Sequence, residues 1–247
     1  MSPENKSAEI SRRRAIGLLA VTGAGVLLGC GGSTATVSGS SGSATTAVGN
    51  AACVLTPDLT VGPYFVDEKL DRSDLTADTT DTNVTSGVPL TLKMFIMAYT
   101  SSGCSPLSGA QVDVWHADAG GVYSDESSEG TAGQTYLRGY QTTDANGSVI
   151  FESIFPGWYS GRTVHIHVLV RTFSTSGTET LEYTTQLFFD PALTLAVMAK
   201  APYNTRGNPD TINSSDDIYN SETLLSLAAV SSGSGYATSI TIGVQTG

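Results

Sequence analysis

The stretch Pro156-Gly-Trp-Tyr-Ser-Gly-Arg-Thr-Val-His-Ile-His167 gathers a tyrosine, an arginine and two of the chain's three histidines. It runs into Thr163-Val-His-Ile-His-Val-Leu-Val-Arg-Thr172, which is rich in β-branched residues and predicts a strand. Because side chains on a strand alternate between its faces, His165 and His167 share one face. The apolar side chains beside them take the other face.

This histidine pair has the spacing of metal ligands. Their backbones are separated by twice the strand rise, roughly 7 Å, so the two imidazoles can converge on one metal ion. His-x-His is a short pattern, however, and a second interpretation is equally open. The pair would then be solvent-facing or hydrogen-bonded histidines on a half-buried strand.

Short β-rich runs separated by turn residues fill most of the chain beyond residue 53. The predicted strands are Pro89–Tyr99, Gln111–Trp115, Tyr140–Thr143, Ser148–Ile154, Thr163–Thr172, Tyr183–Phe189 and Ser239–Gly243. We expect a tight turn at Asp144–Gly147, short helices over Ala192–Ala199 and Glu222–Ala229, and a long surface loop over residues 203–221. The pattern predicts a mainly β chain: an antiparallel β-sandwich with few short helices and long loops.

The N-terminus has the pattern of an export signal. Arg12 to Arg14 precede an uncharged apolar stretch that ends at Cys30. This arrangement is typical of a secretory signal and too short for a spanning helix, and the paired arginines suggest twin-arginine export. Leu27-Leu-Gly-Cys30 resembles a lipobox, so we predict residues 1–30 as an export signal with Cys30 lipidated. Plain cleavage elsewhere in the stretch is the alternative.

Residues 31–52 are nearly all Gly, Ser, Thr, Ala and Val, without charge, and predict a flexible tether with a reach of roughly 25 Å. Residues 53–247 are then one domain, large enough for a substantial core. The predicted location is the cell envelope, on its periplasmic or extracellular face, with the domain lipid-anchored.

Charge and cysteine usage limit the partners of this domain. The chain has 23 acidic and 12 basic residues, a net charge of −11, which argues against nucleic acid and against anionic lipid surfaces. Membrane contact is therefore predicted only through the anchor at Cys30. Cys53 and Cys104 remain as a pair in an exported protein, so a disulfide between them is the default expectation.

A second cluster, Val114-Trp-His-Ala-Asp-Ala-Gly-Gly-Val-Tyr-Ser124, ends a predicted strand in a Gly-Gly turn that would present Tyr123 at the end of a sheet. A phenol titrates at about 10, so tyrosine is a poor ligand for divalent ions. A hard trivalent ion such as Fe(III) can ionise the phenol and bind the phenolate. Two tyrosines with two histidines would therefore indicate ferric iron rather than zinc.

Taken in chain order, these segments resemble the intradiol ring-cleavage dioxygenases, the family of the protocatechuate and catechol dioxygenases. The resemblance covers about residues 53 to 190 and implies the family's β-sandwich with a transthyretin-like core. The matching segments are Thr60-Val-Gly-Pro-Tyr-Phe65, Trp115-His-Ala117, Gly121-Val-Tyr-Ser124, Leu137-Arg-Gly-Tyr-Gln-Thr-Thr-Asp144, Pro156-Gly-Trp-Tyr-Ser-Gly-Arg162 and His165-Ile-His167.

The resemblance implies a set of site residues. The four protein ligands of a non-haem Fe(III) would be Tyr123, Tyr159, His165 and His167. Arg162 would lie beside the bound catecholate, and Gln186 falls, by a looser match, where the family has a glutamine behind the ligands. The segment Gly62-Pro63-Tyr64 would line the substrate entrance.

The implied reaction is intradiol cleavage of a catecholic ring by O2, giving a muconate-type dicarboxylate. Tyr159 would be displaced by the substrate and accept a proton from it, which is general base chemistry. Arg162 would stabilise the negative charge that builds on the ring and its oxygens. Export and lipidation depart from the familiar cytoplasmic members and leave the particular catechol open, as well as whether the chain forms a homo-oligomer.

Three other interpretations compete with this one. A cupin also has His-x-His, but it requires a Glu a few residues later, and Val168–Thr172 supplies none. A non-catalytic exported β-sandwich binding module would leave the tyrosines and histidines without a purpose. An inactive homologue would keep the ligands and bind iron without consuming oxygen on any catechol.

Overall fold

A computed structural model describes residues 54–80, 85–231, 233 and 235–246. The predicted export signal, the tether, Cys30 and Cys53 lie outside these residues, so their roles stay predictions. Cys104 takes part in a disulfide, and its pairing with Cys53 likewise stays a prediction. None of the helices in the described part of the chain is long and apolar enough to cross a membrane.

β-Strands are the main regular secondary structure of the described residues. The strands are β1 (Pro89–Thr100), β2 (Gly103–Pro106), β3 (Gln111–Trp115), β4 (Arg138–Thr142), β5 (Ser148–Ile154), β6 (His165–Phe173), β7 (Glu179–Phe188), β8 (Ala228–Ala229) and β9 (Tyr236–Gln245). The one α-helix in this part of the chain is α1 (Pro191–Met198), and short 3-10 helices cover Ser127–Glu129, Tyr203–Thr205, Asn213–Ser215 and Ser221–Thr223.

These strands form two sheets. The first has the order β4-β3-β6-β7, with every pair antiparallel. In the second, β1 pairs with β5 along Pro89–Phe95, with β2 along Met97–Thr100 and, in parallel, with β9, which also pairs with β8. The predicted β-sandwich class is confirmed, and the parallel β1–β9 pair is its one departure from antiparallel order among the described strands.

The main core lies between the two sheets because each sheet turns one apolar face inward. Strand β1 alternates buried and half-buried positions, as a strand with one face in the core must. The inward side chains of β1, β3 and β6 are Leu90, Leu92, Met94, Ile96, Val112, Val114, Ile166, Val168 and Val170. On β6 the core therefore takes the face opposite to the two histidines.

A second, smaller apolar cluster covers the outer face of the four-stranded sheet. Its buried members are Trp115, Ala117, Tyr123 and Leu169, and its half-buried members are Val61, Tyr64, Phe65 and Tyr159. Because of this cover, strand β6 is buried on both faces from His165 to Arg171. The histidines thus point into a covered space and not into solvent.

Local sequence patterns predict most elements correctly. The helix expected over Ala192–Ala199 is confirmed as α1, which begins at Pro191 where the Asp190 carboxylate accepts a hydrogen bond from Leu193 N at 2.9 Å. The helix predicted over Glu222–Ala229 is wrong. The chain makes only a 3-10 turn there, and Ala228–Ala229 pair with β9 as a short strand.

Two connections behave differently from the prediction. The turn at Asp144–Gly147 is present, with Gly147 N donating to Asp144 O at 3.0 Å, but it carries the chain from one sheet to the other and closes no hairpin. The sequence predicts a surface loop over residues 203–221. Most of it is exposed, yet Tyr203, Asn213 and Asp216 are buried and attach it to the domain.

The buried Tyr203 generates a stability prediction. Its hydroxyl donates to Phe155 O at 2.7 Å and accepts from Val88 N at 2.9 Å. Tyr203→Phe leaves both backbone groups unpaired, so we expect the free energy of unfolding in urea to fall by about 1–3 kcal/mol. Tyr99→Phe is the matched control, because the Tyr99 hydroxyl has no hydrogen-bond partner within the described residues. Equal stability of the two variants would contradict the anchoring role.

Candidate metal centre

The two histidines of β6 converge at their Nε2 atoms. His165 and His167 are 3% and 1% exposed, and the two Nε2 atoms lie 3.1 Å apart. Nδ1 of His165 lies 2.7 Å from Thr163 O and donates to it, which leaves Nε2 as the unprotonated nitrogen. The solvent-facing interpretation of this pair is therefore wrong.

Both imidazoles are held in the neutral form that binds metals. Burial, reinforced by the charge of Arg162, lowers the pKa of His165 to about 3. Burial and then the neighbouring His165 lower the pKa of His167 well below its ordinary value. The His167 ring is fixed by stacking on Trp115, with ring centroids 4.8 Å apart and planes 7° from parallel.

Two loops bring tyrosines to the same point. Tyr159, just before β6, places its hydroxyl 3.2 Å from His165 Nε2. The Tyr123 ring lies 5.7 Å from that of Tyr159 and 6.2 Å from that of His167, measured between centroids. Its buried hydroxyl has no hydrogen-bond partner among the described residues. Two phenols and two imidazoles thus converge.

The Gly-Gly turn that precedes Tyr123 is required by close packing. Gly121 has φ +79°, and a Cβ at this position would meet the carbonyl of Trp158. Asp118 closes the turn by accepting hydrogen bonds from Gly120 N at 2.8 Å and Val122 N at 2.9 Å. The loop that carries Tyr123 therefore packs directly against the loop that carries Tyr159.

The four donors fit a hard, highly charged cation. Nitrogen ligands at about 2.1 Å from a metal and at right angles to each other lie about 3 Å apart, close to the observed Nε2 separation. Burial raises the pKa of both Tyr123 and Tyr159, so a strongly polarising ion is needed to ionise them. The described residues contain no cluster of three His, Cys, Asp or Glu side chains that could replace this set.

Arg162 and Gln186 stand directly beside the donors. Arg162 Nη1 lies 3.5 Å from His165 Nε2, and Arg162 Nη2 donates to Gln186 Oε1 at 2.6 Å. Gln186 lies opposite His167 on β7, is fully buried, and donates through Nε2 to Thr60 O at 2.8 Å. The structure thus brings both predicted residues to the centre. Gln186 also links Arg162 to Thr60, in the segment of residues 60–65 that lies over the site (the covering segment).

The predicted entrance segment Gly62-Pro63-Tyr64 lies over His167 and Tyr123. Gly62 has φ +72°, and a Cβ there would lie 3.1 Å from Cε1 of His167. The Tyr64 ring stacks on that of Tyr123 with centroids 4.3 Å apart. Arg138 fixes the segment by donating to Tyr64 O at 3.1 Å and to Ser124 Oγ at 2.7 Å.

Sequence reasoning missed one buried residue at this centre. Asp216 accepts hydrogen bonds from Arg162 Nε at 2.9 Å and from Thr163 N at 2.8 Å. Burial alone would raise its pKa, but hydrogen bonds from Ile218 N and Thr163 N and the charge of Arg162 hold the pKa below its ordinary value. No local signal could have found it, since it lies in a polar segment far from Arg162 in sequence.

The third histidine of the chain, His116, has a structural role, because both of its ring nitrogens form hydrogen bonds within the protein. Its Nε2 lies 2.7 Å from Ser153 Oγ and its Nδ1 2.9 Å from Ala117 O. Burial lowers its pKa to about 4, so it is neutral at ordinary pH. Both ring nitrogens are satisfied, and neither is available to a metal.

Gly62 generates a prediction about the cover. Gly62→Ala adds the strain of a positive φ and presses a Cβ on His167, whereas Gly177→Ala adds the same kind of strain at φ +80° in open space. We expect Gly177→Ala to lower the free energy of unfolding by about 1–2 kcal/mol, from backbone strain alone. Gly62→Ala should lower it further and also weaken metal retention, measured by urea unfolding and by metal analysis after dialysis. Equal losses in the two variants would show that the segment does not press on the ligand.

Comparison with known proteins identifies the fold family. A family model described as dioxygenase matches residues 60–206. An intradiol ring-cleavage dioxygenase from Tetranychus urticae superposes with a TM-score of 0.67 at 27% identity, covering 78% of this chain and 95% of that one. The dioxygenase domain of a dioxygenase–carbohydrate-binding protein fusion from Streptomyces sp. SirexAA-E gives 0.56 at 31% identity, with 78% and 100% covered.

A 3-chlorocatechol 1,2-dioxygenase from Rhodococcus opacus 1CP shares the fold at 22% identity, with a TM-score of 0.54 over 76% of this chain and 72% of that one. No curated protein sequence matches the chain. The family model covers more than half of the chain, and the intradiol dioxygenase from Tetranychus urticae shares the sandwich fold. The chain therefore belongs to the dioxygenase family and is an oxidoreductase of the intradiol ring-cleaving type.

Proposed function

We propose that this protein uses a non-haem Fe(III) to cleave a catecholic ring with O2 in the intradiol position, giving a muconate-type dicarboxylate. One observation carries the proposal: the buried convergence of two neutral imidazoles with the hydroxyl of Tyr159 and the unpartnered hydroxyl of Tyr123. Phenolate oxygens with imidazole nitrogens are a donor set suited to a hard trivalent ion.

The proposed iron ligands are Tyr123, Tyr159, His165 and His167. When bound there, ferric iron would chelate the catecholate and make its ring reactive toward O2. The chain's own contribution begins with ligand placement. Strand β6 fixes the two imidazoles, and the packed Gly121 turn fixes one phenol against the other.

Tyr159 is the phenol suited to exchange a proton with the substrate. Tyr123 is 3% exposed, whereas Tyr159 is half-buried and its loop contacts the exposed residue Asp210 through Ser160 Oγ at 2.7 Å. Tyr159 Oη would therefore be the phenol oxygen that holds a proton taken from a catechol hydroxyl. Tyr123, stacked under Tyr64, stays in place.

Arg162 supplies a fixed positive charge at the centre. Its Nη1 faces the histidines, while Nε and Nη2 are engaged by Asp216 and Gln186. A preoriented cation in a covered site stabilises the negative charge that develops on the ring and its oxygens at no cost of reorganisation. Gln186 orients this charge and ties it to the segment over the site.

The covering segment shapes the space above the ligands. Gly62 admits the backbone close to His167, and the ring of Tyr64 lies edge-on to that of Tyr159, with centroids 5.9 Å apart. Gly62, Pro63 and Tyr64 are therefore proposed to line the entrance and to exclude water from the bound ring.

The iron assignment is tested by spectroscopy of the purified chain. We expect a visible tyrosinate-to-iron band that shifts when catechol is added anaerobically, followed by oxygen uptake when air is admitted. Tyr159→Phe should lose part of this band, because Tyr123 would remain as a phenolate ligand, and at least about 100-fold of the oxygen uptake, as expected when a ligand that also transfers a proton is removed. Iron content is measured in parallel.

Tyr140→Phe is the matched control, because Tyr140 lies on β4 in the same sheet and away from the four donors. It should keep both the band and the uptake. A chain that stays colourless after ferric iron is supplied would overturn the iron assignment and favour the non-catalytic binding module. A coloured chain without oxygen uptake on any catechol would identify the inactive homologue.

The same proposal places the protein at the cell envelope. Arg12 to Arg14, the apolar stretch and the lipobox-like Leu27–Cys30 support twin-arginine export followed by lipidation of Cys30. The uncharged residues 31–52 would then separate the anchor from the catalytic domain. The disulfide proposed between Cys53 and Cys104 suits an oxidising compartment.

Cys30→Ser tests the anchor directly. We expect the wild-type chain to fractionate with membranes and the variant to be released into the soluble exported fraction, because the lipid is the only proposed membrane contact. Cell fractionation with immunoblotting measures the change. Cys104→Ser is the control, since it removes a cysteine without touching the lipobox. Release of wild type and variant in equal amounts would contradict lipidation.

A further inference from the structure

The Arg162 guanidinium is held from three directions. Nε donates to Asp216 Oδ2 at 2.9 Å, Nη2 donates to Gln186 Oε1 at 2.6 Å, and Nη1 faces His165 Nε2 at 3.5 Å. A guanidinium is a planar fork, so fixing two of its nitrogens fixes the direction of the third. The partners of Nε and Nη2 therefore determine that Nη1 is the nitrogen that faces His165.

One of those partners carries a charge. The Asp216 side chain is 1% exposed and that of Arg162 is 15% exposed. A cation placed beside a multivalent metal is repelled by it, and the repulsion is strong where water is excluded. Asp216 is the one carboxylate that forms an ion pair with Arg162 among the described residues, so it offsets this repulsion and keeps the guanidinium at the centre.

The geometry around Asp216 is itself rigid. Its Oδ1 accepts from Ile218 N at 2.8 Å, and its Oδ2 accepts from Thr163 N at 2.8 Å. Nearby, the Asn213 Oδ1 accepts from Thr163 Oγ1 at 2.6 Å while its Nδ2 donates to Phe189 O at 3.0 Å. The turn that carries the carboxylate is thus docked on the segment just before β6.

We propose that Asp216 is a positioning residue for the dioxygenase reaction: it sets the direction of the Arg162 guanidinium toward the bound catecholate. This inference rests on the proposed function and adds to it a residue from the distant segment 203–221. Asp216 touches neither the ligands nor the substrate and acts through Arg162.

Asp216→Asn tests the role with little change of shape. With its oxygen in the place of Oδ2, the amide keeps an acceptor for Thr163 N but loses the acceptor for Ile218 N and the charge that pairs with Arg162. We expect kcat for catechol-dependent oxygen uptake to fall about 10- to 100-fold, the usual effect of removing a partner that orients an active group. Iron content, the visible band of the resting protein and the dissociation constant for anaerobic catechol should stay within about twofold of the wild type, because the four ligands are untouched.

Asp210→Asn is the matched control. Asp210 is an exposed carboxylate of the same segment, and it accepts from Ser160 Oγ at 2.7 Å and from Gly161 N at 3.2 Å without contacting Arg162. It should change kcat by less than about twofold, as expected for an exposed surface contact. A similar loss in both variants would mean that loop docking in general, and not the pairing with Arg162, matters.

A double-mutant cycle with Arg162→Gln supplies the decisive readout. If Asp216 acts through Arg162, adding Asp216→Asn to Arg162→Gln should lower kcat by less than about twofold more, because residues that act as a unit are not additive. Full additivity, an unchanged kcat in Asp216→Asn, or a loss of iron and of the visible band would each overturn the inference. A wild-type chain that consumes no oxygen would instead overturn the proposed function first.

Discussion

The alternation of strand β6 is the constraint on which the rest of the site depends. Ile166, Val168 and Val170 are fixed in the core between the sheets, so His165 and His167 must lie on the opposite face. A shift of register by one residue would put imidazoles in the core and valines at the centre. The apolar burial that stabilises the domain therefore also sets the position of the two histidines that we propose as metal ligands.

Such a placement requires a second core. A histidine pair on the outer face of a sheet would ordinarily be exposed to solvent, and its nitrogens would exchange protons with water. Here the outer cluster around Trp115 and Tyr123 covers that face, and burial keeps both imidazoles neutral. The covering segment is bound by Gln186 through Thr60 O and by Arg138 through Tyr64 O. The polar residues Gln186 and Arg138 thus hold the covering segment in place.

Local patterns in the sequence predict seven of the nine described strands, because their alternation reflects which face is buried, and they miss the short strands β2 and β8. The same patterns predict the histidine strand, the Gly-Gly turn before Tyr123 and the short helix α1. They failed where pairing is decided by tertiary structure. The Asp144–Gly147 turn resembles a hairpin turn, yet β4 and β5 join different sheets, and the apolar run at Glu222–Ala229 forms no helix because Ala228–Ala229 pair with β9.

Asp216 is the residue of the site that could not be predicted from the sequence. Arg162 stands out because it precedes the histidines in a motif, but a half-buried guanidinium beside the proposed iron site needs a negative partner, and no residue near it in sequence supplies one. The electrostatic requirement predicts that a carboxylate exists without saying where it lies. The fold determines the position of the carboxylate, because Asn213 and Asp216 of an otherwise exposed segment form hydrogen bonds with Thr163. A polar loop that is anchored at two buried residues is thus part of the site, and its sequence could not show this because its other residues face water.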